Sequence, residues 1–398
     1  MILLEGCAGL ALSESQSPVD WRRPADRSMT IRTLGPDHRF HEVPSAAVAE
    51  NLRTLHAAEP LNILALSGGG AGGAFGAGAI AGLTRAGDRP TFDVVTGVSA
   101  GALIAPYAFL GPAWDAQLLD AFTSVSGDNL LQSRGLGVIF GSSLYSGKPL
   151  QQLIDAYVSD AMIEAIAHEA DKGRLLLVAT TDVATGEPVV WDLGAITKNG
   201  GPSARALFRD VLVASASVPG MFPPVIIRVD EDGLSQDQAH VDGATTVPFF
   251  VPPAFLQRTR TARHTAVFVI IDGTLGEDAR TTRLTAHAIL SRSIRVGLNH
   301  LLSTTMELTA ATAQLNGADL QYSSLPARYP LPDIFDFSAK VRRPLFSYAY
   351  KCAQVGRLWT AFSRSNDSDE ALPSATQTQT QSVPCPADEP SFEYLATR

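Results

Sequence analysis

Three places in the chain carry residue types that could do chemistry together. In Gly97-Val98-Ser99-Ala100-Gly101 a serine has a glycine two residues away on either side. At a strand-to-helix turn, such a serine can be held strained, with its hydroxyl presented above the sheet edge. Gly97 and Gly101 remove the Cβ atoms that would clash where strand and helix fold back so tightly. Residues 67–73 place five glycines in seven positions. Such a loop exposes successive backbone N–H groups, and donors aimed in advance at a developing oxyanion are usually the largest catalytic contribution. An aspartate, Asp242, opens a third short motif with Gly243 and Ala244. A serine hydroxyl is a poor nucleophile until a positioned base takes its proton. The chemistry these types permit is attack on a carbonyl with stabilisation of a tetrahedral oxyanion.

The elements that must position them are legible around the first two motifs. Residues 63–66 form a short apolar run of the kind found in a buried parallel strand, and 74–85 can continue as a small-residue helix. Residues 92–96 read as a second strand and 102–110 as a buried helix. Two strand–turn–helix units within residues 61–110 predict an α/β sheet with helices on its faces. The helix that starts near Ala100 would direct its positive end at Ser99.

A dinucleotide site is the competing reading of the glycines, because Gly68, Gly70 and Gly73 fit G-x-G-x-x-G. That site needs an acidic residue at the end of the second strand. Asp88 lies instead in the turn before that strand, so the nucleotide reading is weak. Residues 141–148 look superficially like a phosphate loop, but the spacing is one too long and Pro149 stands where Ser or Thr is required.

Residues 68–73 (Gly-Gly-Gly-Ala-Gly-Gly), 97–101 and 242–244 resemble, in order and spacing, the three signatures of the patatin-like phospholipase family. Further similar stretches lie at 144–150, 180–186 and 214–224, and the resemblance covers about residues 61–253. It implies a three-layer α/β/α fold with a mostly parallel central sheet, here with a helical C-terminal extension. It also implies a serine-dependent lipid acyl hydrolase of phospholipase A or lysophospholipase type that needs no metal or organic cofactor. Carried over by motif, Ser99 is the nucleophile, Asp242 the base, and the backbone around Gly68, Gly69, Gly70 and Ala71 the oxyanion hole. Such a dyad works only if Asp242 lies close to Ser99 and partly desolvated, because a carboxylate is a weak base in water. His240 lies two positions before Asp242, and strand alternation would put both side chains on one face. A histidine-assisted triad is conceivable, but a hydrogen-bonded histidine at a strand end is the favoured reading. Acyl transfer on the same fold, or a non-catalytic envelope-associated binding protein, are the alternatives.

Composition sets the frame. The 398 residues allow more than one unit, with 45% hydrophobic and 18% charged residues. The net charge of −9 and the lack of a long basic run argue against nucleic acid as a partner, and against electrostatic attraction to anionic lipid. The expected partner is a lipid or other acyl-ester substrate, with any membrane contact peripheral or through an anchor. Residues 1–60 read as an arm ending in a helix at 46–58, and 61–255 as the catalytic domain. Residues 256–363 read as a strand and helices packed on it, and the polar stretch 364–398 as a disordered tail. Helices are expected at 115–122, 149–169, 204–217, 284–316 and 338–363, and strands at 174–181, 188–191 and 265–272. His287, Arg292, Arg295 and His300 should form one solvated helix face. The apolar run 218–227 is a candidate wall for an acyl pocket. Residues 1–8 resemble the end of a lipoprotein signal in which Cys7 would carry a lipid and place the enzyme in the cell envelope. The basic start and most of the apolar region that such a signal needs are missing. Three cysteines, Cys7, Cys352 and Cys385, are too few for a disulfide framework, though a single Cys352–Cys385 bridge remains open.

Overall fold

Strand alternation builds the layers. Leu64, Leu66, Val95, Leu176, Val178, Phe268 and Ile270 face one apolar core, while their chain neighbours Ile63, Ala65, Val94, Leu177, Ala179, Val267 and Val269 face another. Apolar side chains on both faces make these strands nearly continuous hydrophobic runs, as a sheet covered on both sides requires.

The structure, a computed structural model, describes residues 29–55, 60–124, 131, 143–231, 234–257, 264–276, 284–326, 329, 333–362 and Cys385. Cys7, most of the stretch at 126–142 and the tail expected from 364 onward, Cys385 apart, lie outside the described residues. In chain order the elements begin β1 (Thr30–Leu34), β2 (Phe40–Pro44), α1 (Ser45–Leu55), β3 (Leu61–Leu66), α2 (Gly73–Ala86), β4 (Val94–Val98) and α3 (Ala100–Leu110). There follow α4 (Asp115–Thr123), α5 (Lys148–Tyr157), α6 (Asp160–Asp171), β5 (Leu175–Asp182), β6 (Pro188–Asp192), α7 (Leu193–Lys198) and α8 (Gly201–Ser215). The chain continues with β7 (Val225–Glu231), β8 (Leu234–Asp242), α9 (Pro253–Leu256), β9 (Thr265–Thr274) and α10 (Ala286–Asn316). It closes with β10 (Asp319–Leu325), α11 (Ala339–Gln354) and β11 (Thr360–Ala361).

The sheet runs β11-β10-β9-β3-β4-β5-β6-β1-β2, and β8 pairs with both β5 and β7. Its centre, from β10 to β5, is parallel throughout, and antiparallel pairs lie toward its margins. Helices α2 to α8 and α11 cover one face, and α1, α9 and α10 the other. This is the three-layer α/β arrangement with a mostly parallel central sheet. None of the described helices is long and apolar enough to cross a membrane.

Several details lie beyond the expectations or depart from them. The N-terminal arm joins the sheet: Ile31 and Arg32 pair in parallel with Val190 and Trp191, and β2 continues the sheet edge. Ile31 is fully buried, which supplies the reason. The helix expected over 149–169 is two, because Ser159 Oγ accepts the Met162 N–H at 3.2 Å and caps a new start. Arg292 and Arg295 are half-buried rather than on a solvated face, since with Asn299 and Leu302 they share a 3-4-3 helical spacing on the inner side of α10. The single Cys352–Cys385 bridge that the sequence left open is formed.

A buried arginine ties the unit that carries Ser99 together. Arg174 donates to the carbonyls of Phe92 and Phe109, at the start of β4's approach and the end of α3, and pairs with Glu169 of α6 at 2.7 Å. Replacing it strands two buried acceptors and leaves the half-buried Glu169 with only its more exposed partner, Lys172. Arg174→Leu is expected to lower unfolding free energy by about 3 kcal/mol in urea titrations, while Lys172→Leu, on the exposed side of the same Glu169, should change it by less than about 1 kcal/mol.

Candidate active site

Ser99 joins β4 to α3 and is held at φ 53°, ψ −121°. Only His38 and Ser99 among the described non-glycine residues have positive φ. A backbone of this kind costs on the order of 1–3 kcal/mol and persists only where its surroundings over-determine it. Those surroundings are specific. A Cβ on Gly97 would lie 2.7 Å from the Gly101 carbonyl oxygen, and one on Gly101 2.5 Å from that of Leu66. The Ser99 N–H donates to Ser215 Oγ at 3.0 Å, and that hydroxyl donates to the Ala179 carbonyl at 2.8 Å. The Gly101 N–H donates to the Ser67 carbonyl at 3.1 Å, so the turn is also tied to the neighbouring glycine loop.

Asp242 ends β8, beside Thr180 of β5, and its N–H donates to the Ser217 carbonyl at 2.9 Å. The pairing brings its side chain to the serine: Ser99 Oγ donates to Asp242 Oδ2 at 2.5 Å. Oδ1 accepts the Ala244 N–H at 2.8 Å, which fixes the carboxyl plane. Gly243 is required at this turn, because a Cβ there would collide with the Ala179 carbonyl. Ser99 is 5% exposed and Asp242 2% exposed. Burial pushes the Asp242 carboxyl up to about 7, opposed by the bonds from Ser99 and Ala244.

His240 is fully buried and bonds neither Ser99 nor Asp242. Its Nδ1 lies 3.1 Å from Thr180 Oγ1, which also accepts the Trp191 indole N–H at 2.8 Å, and its ring packs edge-on against Trp191. Burial holds its pKa down to about 4, against the attraction of Asp182. It is therefore a neutral packed histidine.

The glycine loop divides into used and unused donors. The Gly68 N–H donates to the Pro248 carbonyl and the Ala71 N–H to the Ile334 carbonyl, each at 2.9 Å. These two expected oxyanion donors are already committed, because they close the loop onto its neighbours. Among the described residues the N–H groups of Gly69 and Gly70 have no such partner, and neither has that of Ala100. Gly68 serves by its absent side chain: a Cβ there would come within 3.1 Å of Ser99 Cβ and of Ala244 Cβ.

An apolar cavity opens at this point, lined by Gly70, Ser99 and Ala100 at one side and by Leu103, Phe122, Leu153, Ile154 and Met162 among others. Of the run 218–227, Val218 and Phe222 line it. Met221 is buried in the core, and Val225 to Ile227 belong to β7. Ser67, Ser215 and Asp272, all buried around the motifs, had no signal in the sequence beyond their polar type within apolar runs.

A family model described as patatin-like phospholipase matches residues 64–255. Among solved structures, VipD from Legionella pneumophila matches at 11% identity with a TM-score of 0.30, over 84% of this chain and 71% of that one. No curated protein gives a significant match. The matched stretch runs from β3 to α9 and so takes in the glycine loop, the serine turn and Asp242, and over residues 64–255 the chain carries a patatin-like phospholipase domain.

Proposed function

We propose that the protein hydrolyses a carboxylic ester of a lipid, with Ser99 as nucleophile and Asp242 as its base. The observation that carries this is the 2.5 Å bond between a strained, buried serine and a buried carboxylate at the mouth of an apolar cavity. Ser99 Oγ attacks the ester carbonyl as its proton passes to Asp242 Oδ2. The tetrahedral oxyanion is met by the uncommitted N–H groups of Gly69 and Gly70, with Ala100 as a third donor at the start of α3. Collapse breaks the ester C–O bond, and Asp242 returns the proton to the departing alcohol. Water then attacks the acyl-serine as Asp242 takes its proton; collapse breaks the Ser99 Oγ–acyl bond, Asp242 returns the proton to Ser99 Oγ, and the fatty acid leaves. The acyl chain would lie in the cavity between α3, α4, α5 and α6, whose aliphatic and aromatic walls offer burial for methylenes at about 0.8 kcal/mol each. The Cys352–Cys385 bridge is in keeping with an oxidising compartment such as the cell envelope.

Ser99→Ala should lower kcat on a p-nitrophenyl acyl ester by at least about 1000-fold while leaving the thermal midpoint unchanged; a variant that keeps wild-type turnover removes the mechanism. A base raised to about 7 must lose its proton to act, so kcat/KM should rise with pH up to about 7 and then level off. His240→Gln should retain that inflection. The same shift appears in stability. The contribution of a carboxyl whose folded pKa is raised is fully present below 3.8 and is lost as pH climbs through about 7. Asp242→Asn, which cannot ionise, should therefore gain on wild type by up to about 4 kcal/mol between pH 4 and 7 in denaturant titrations, and no further above that.

A further inference from the structure

We propose that Asp272 is a positioning residue of the esterase site, holding the glycine loop from behind so that the Gly69 and Gly70 N–H groups stay fixed toward Ser99. The catalytic consequence rests on the hydrolase reading above; the mechanical one does not.

Asp272 ends the apolar run of β9, the strand next to β3, and is 1% exposed. Four contacts bind it to the loop. Its Oδ1 accepts the Gly76 N–H in the first turn of α2 at 2.9 Å. Its own N–H donates to Ser67 Oγ at 2.9 Å, and that hydroxyl donates onward to the Gly68 carbonyl at 2.8 Å. Its main-chain carbonyl occupies the space that a Cβ on Gly69 or on Gly72 would need. The loop from Ser67 to Gly76 is thus wrapped around this one residue, with no room for a side chain at the contact points.

The other carboxyl oxygen, Oδ2, is buried with no hydrogen-bond partner among the described residues. Burying a carboxyl half-satisfied is unfavourable, and an apolar side chain of similar size would avoid that cost. Such a side chain could not accept the Gly76 N–H. Burial also keeps the Asp272 carboxyl well above the usual carboxylate range, and a neutral acid behind the loop does not oppose an oxyanion in front of it. Ser67 adds a second link, since its carbonyl accepts the Gly101 N–H. Loop, strand end and serine turn are then one hydrogen-bonded unit centred on Asp272 and Ser67.

The test compares Asp272→Ala, Asp272→Asn and Ser67→Ala in the full chain, by ester kinetics and by hydrogen exchange at Ala71, Gly72 and Gly76. Asp272→Ala should lower kcat by about 10- to 100-fold with KM within about twofold, and speed exchange at those amides by at least about tenfold. Asp272→Asn keeps an oxygen for the Gly76 N–H and should stay within about threefold of wild type in both readouts. If Asp272→Ala does not fold, Ser67→Ala should show the same kcat loss at constant KM. Wild-type kcat and exchange in a folded Asp272→Ala or in Ser67→Ala would overturn the proposal, as would an Asp272→Asn as impaired as the alanine variant. Should wild type itself turn over no ester, the hydrolase reading fails, while the exchange comparison still decides whether Asp272 holds the loop.

Discussion

The 2.5 Å bond between Ser99 and Asp242 joins groups 143 residues apart in the chain, and it sits where almost no water reaches. In water, a carboxylate has little tendency to take a proton from a hydroxyl. Removed from water it becomes a stronger base, at the cost of a site that must be enclosed and pre-arranged. The three layers answer that requirement. Ser99 stands at the end of β4 and Asp242 at the end of β8, and β5 lies between them, paired with both. One strand therefore sets the distance between Ser99 and Asp242, and helices on that face close the space around them.

Proximity of this kind makes the polar backing around the site necessary. A strained serine turn and a loop with two unpartnered N–H groups would relax unless held. The holding is done by buried hydroxyls and carboxyls that would be unfavourable anywhere else: Ser215 under the Ser99 amide, Ser67 between loop and turn, Asp272 behind the glycines. Each finds its donor or acceptor on the main chain, so the local cost of burying it is offset by rigidity at the site. The glycines then have two different uses. Those at 97 and 101 let strand and helix fold back on each other, and those at 69 and 72 let the loop close onto Asp272.

The geometry of the candidate site was legible where the local motif dictates it. A serine between glycines at a strand-to-helix turn, and an aspartate followed by glycine at a strand end, need their backbones in one arrangement, and the structure places them there. The central parallel strands were legible because burial on both faces makes them apolar throughout. What stayed hidden depends on contacts between distant segments. Nothing local to residues 30–44 reports that they extend the sheet past β6, because that edge is set by pairing with residues 190 and 191. The glycine loop reads as a row of equivalent donors, yet Pro248 and Ile334, from elsewhere in the chain, engage two of them. Asp272 reads as a lone acid ending a strand. Its part emerges only when the loop from Ser67 to Gly76 is seen folded around it.

The central claim is that Ser99 is a nucleophile activated by Asp242, and the most direct measurement is covalent capture. The full chain, treated with a fluorophosphonate at neutral pH and digested, should carry the adduct on the peptide containing Ser99, with labelling in Asp242→Asn slowed by at least about 100-fold. An adduct on a different serine, or equal rates in wild type and Asp242→Asn, would contradict it.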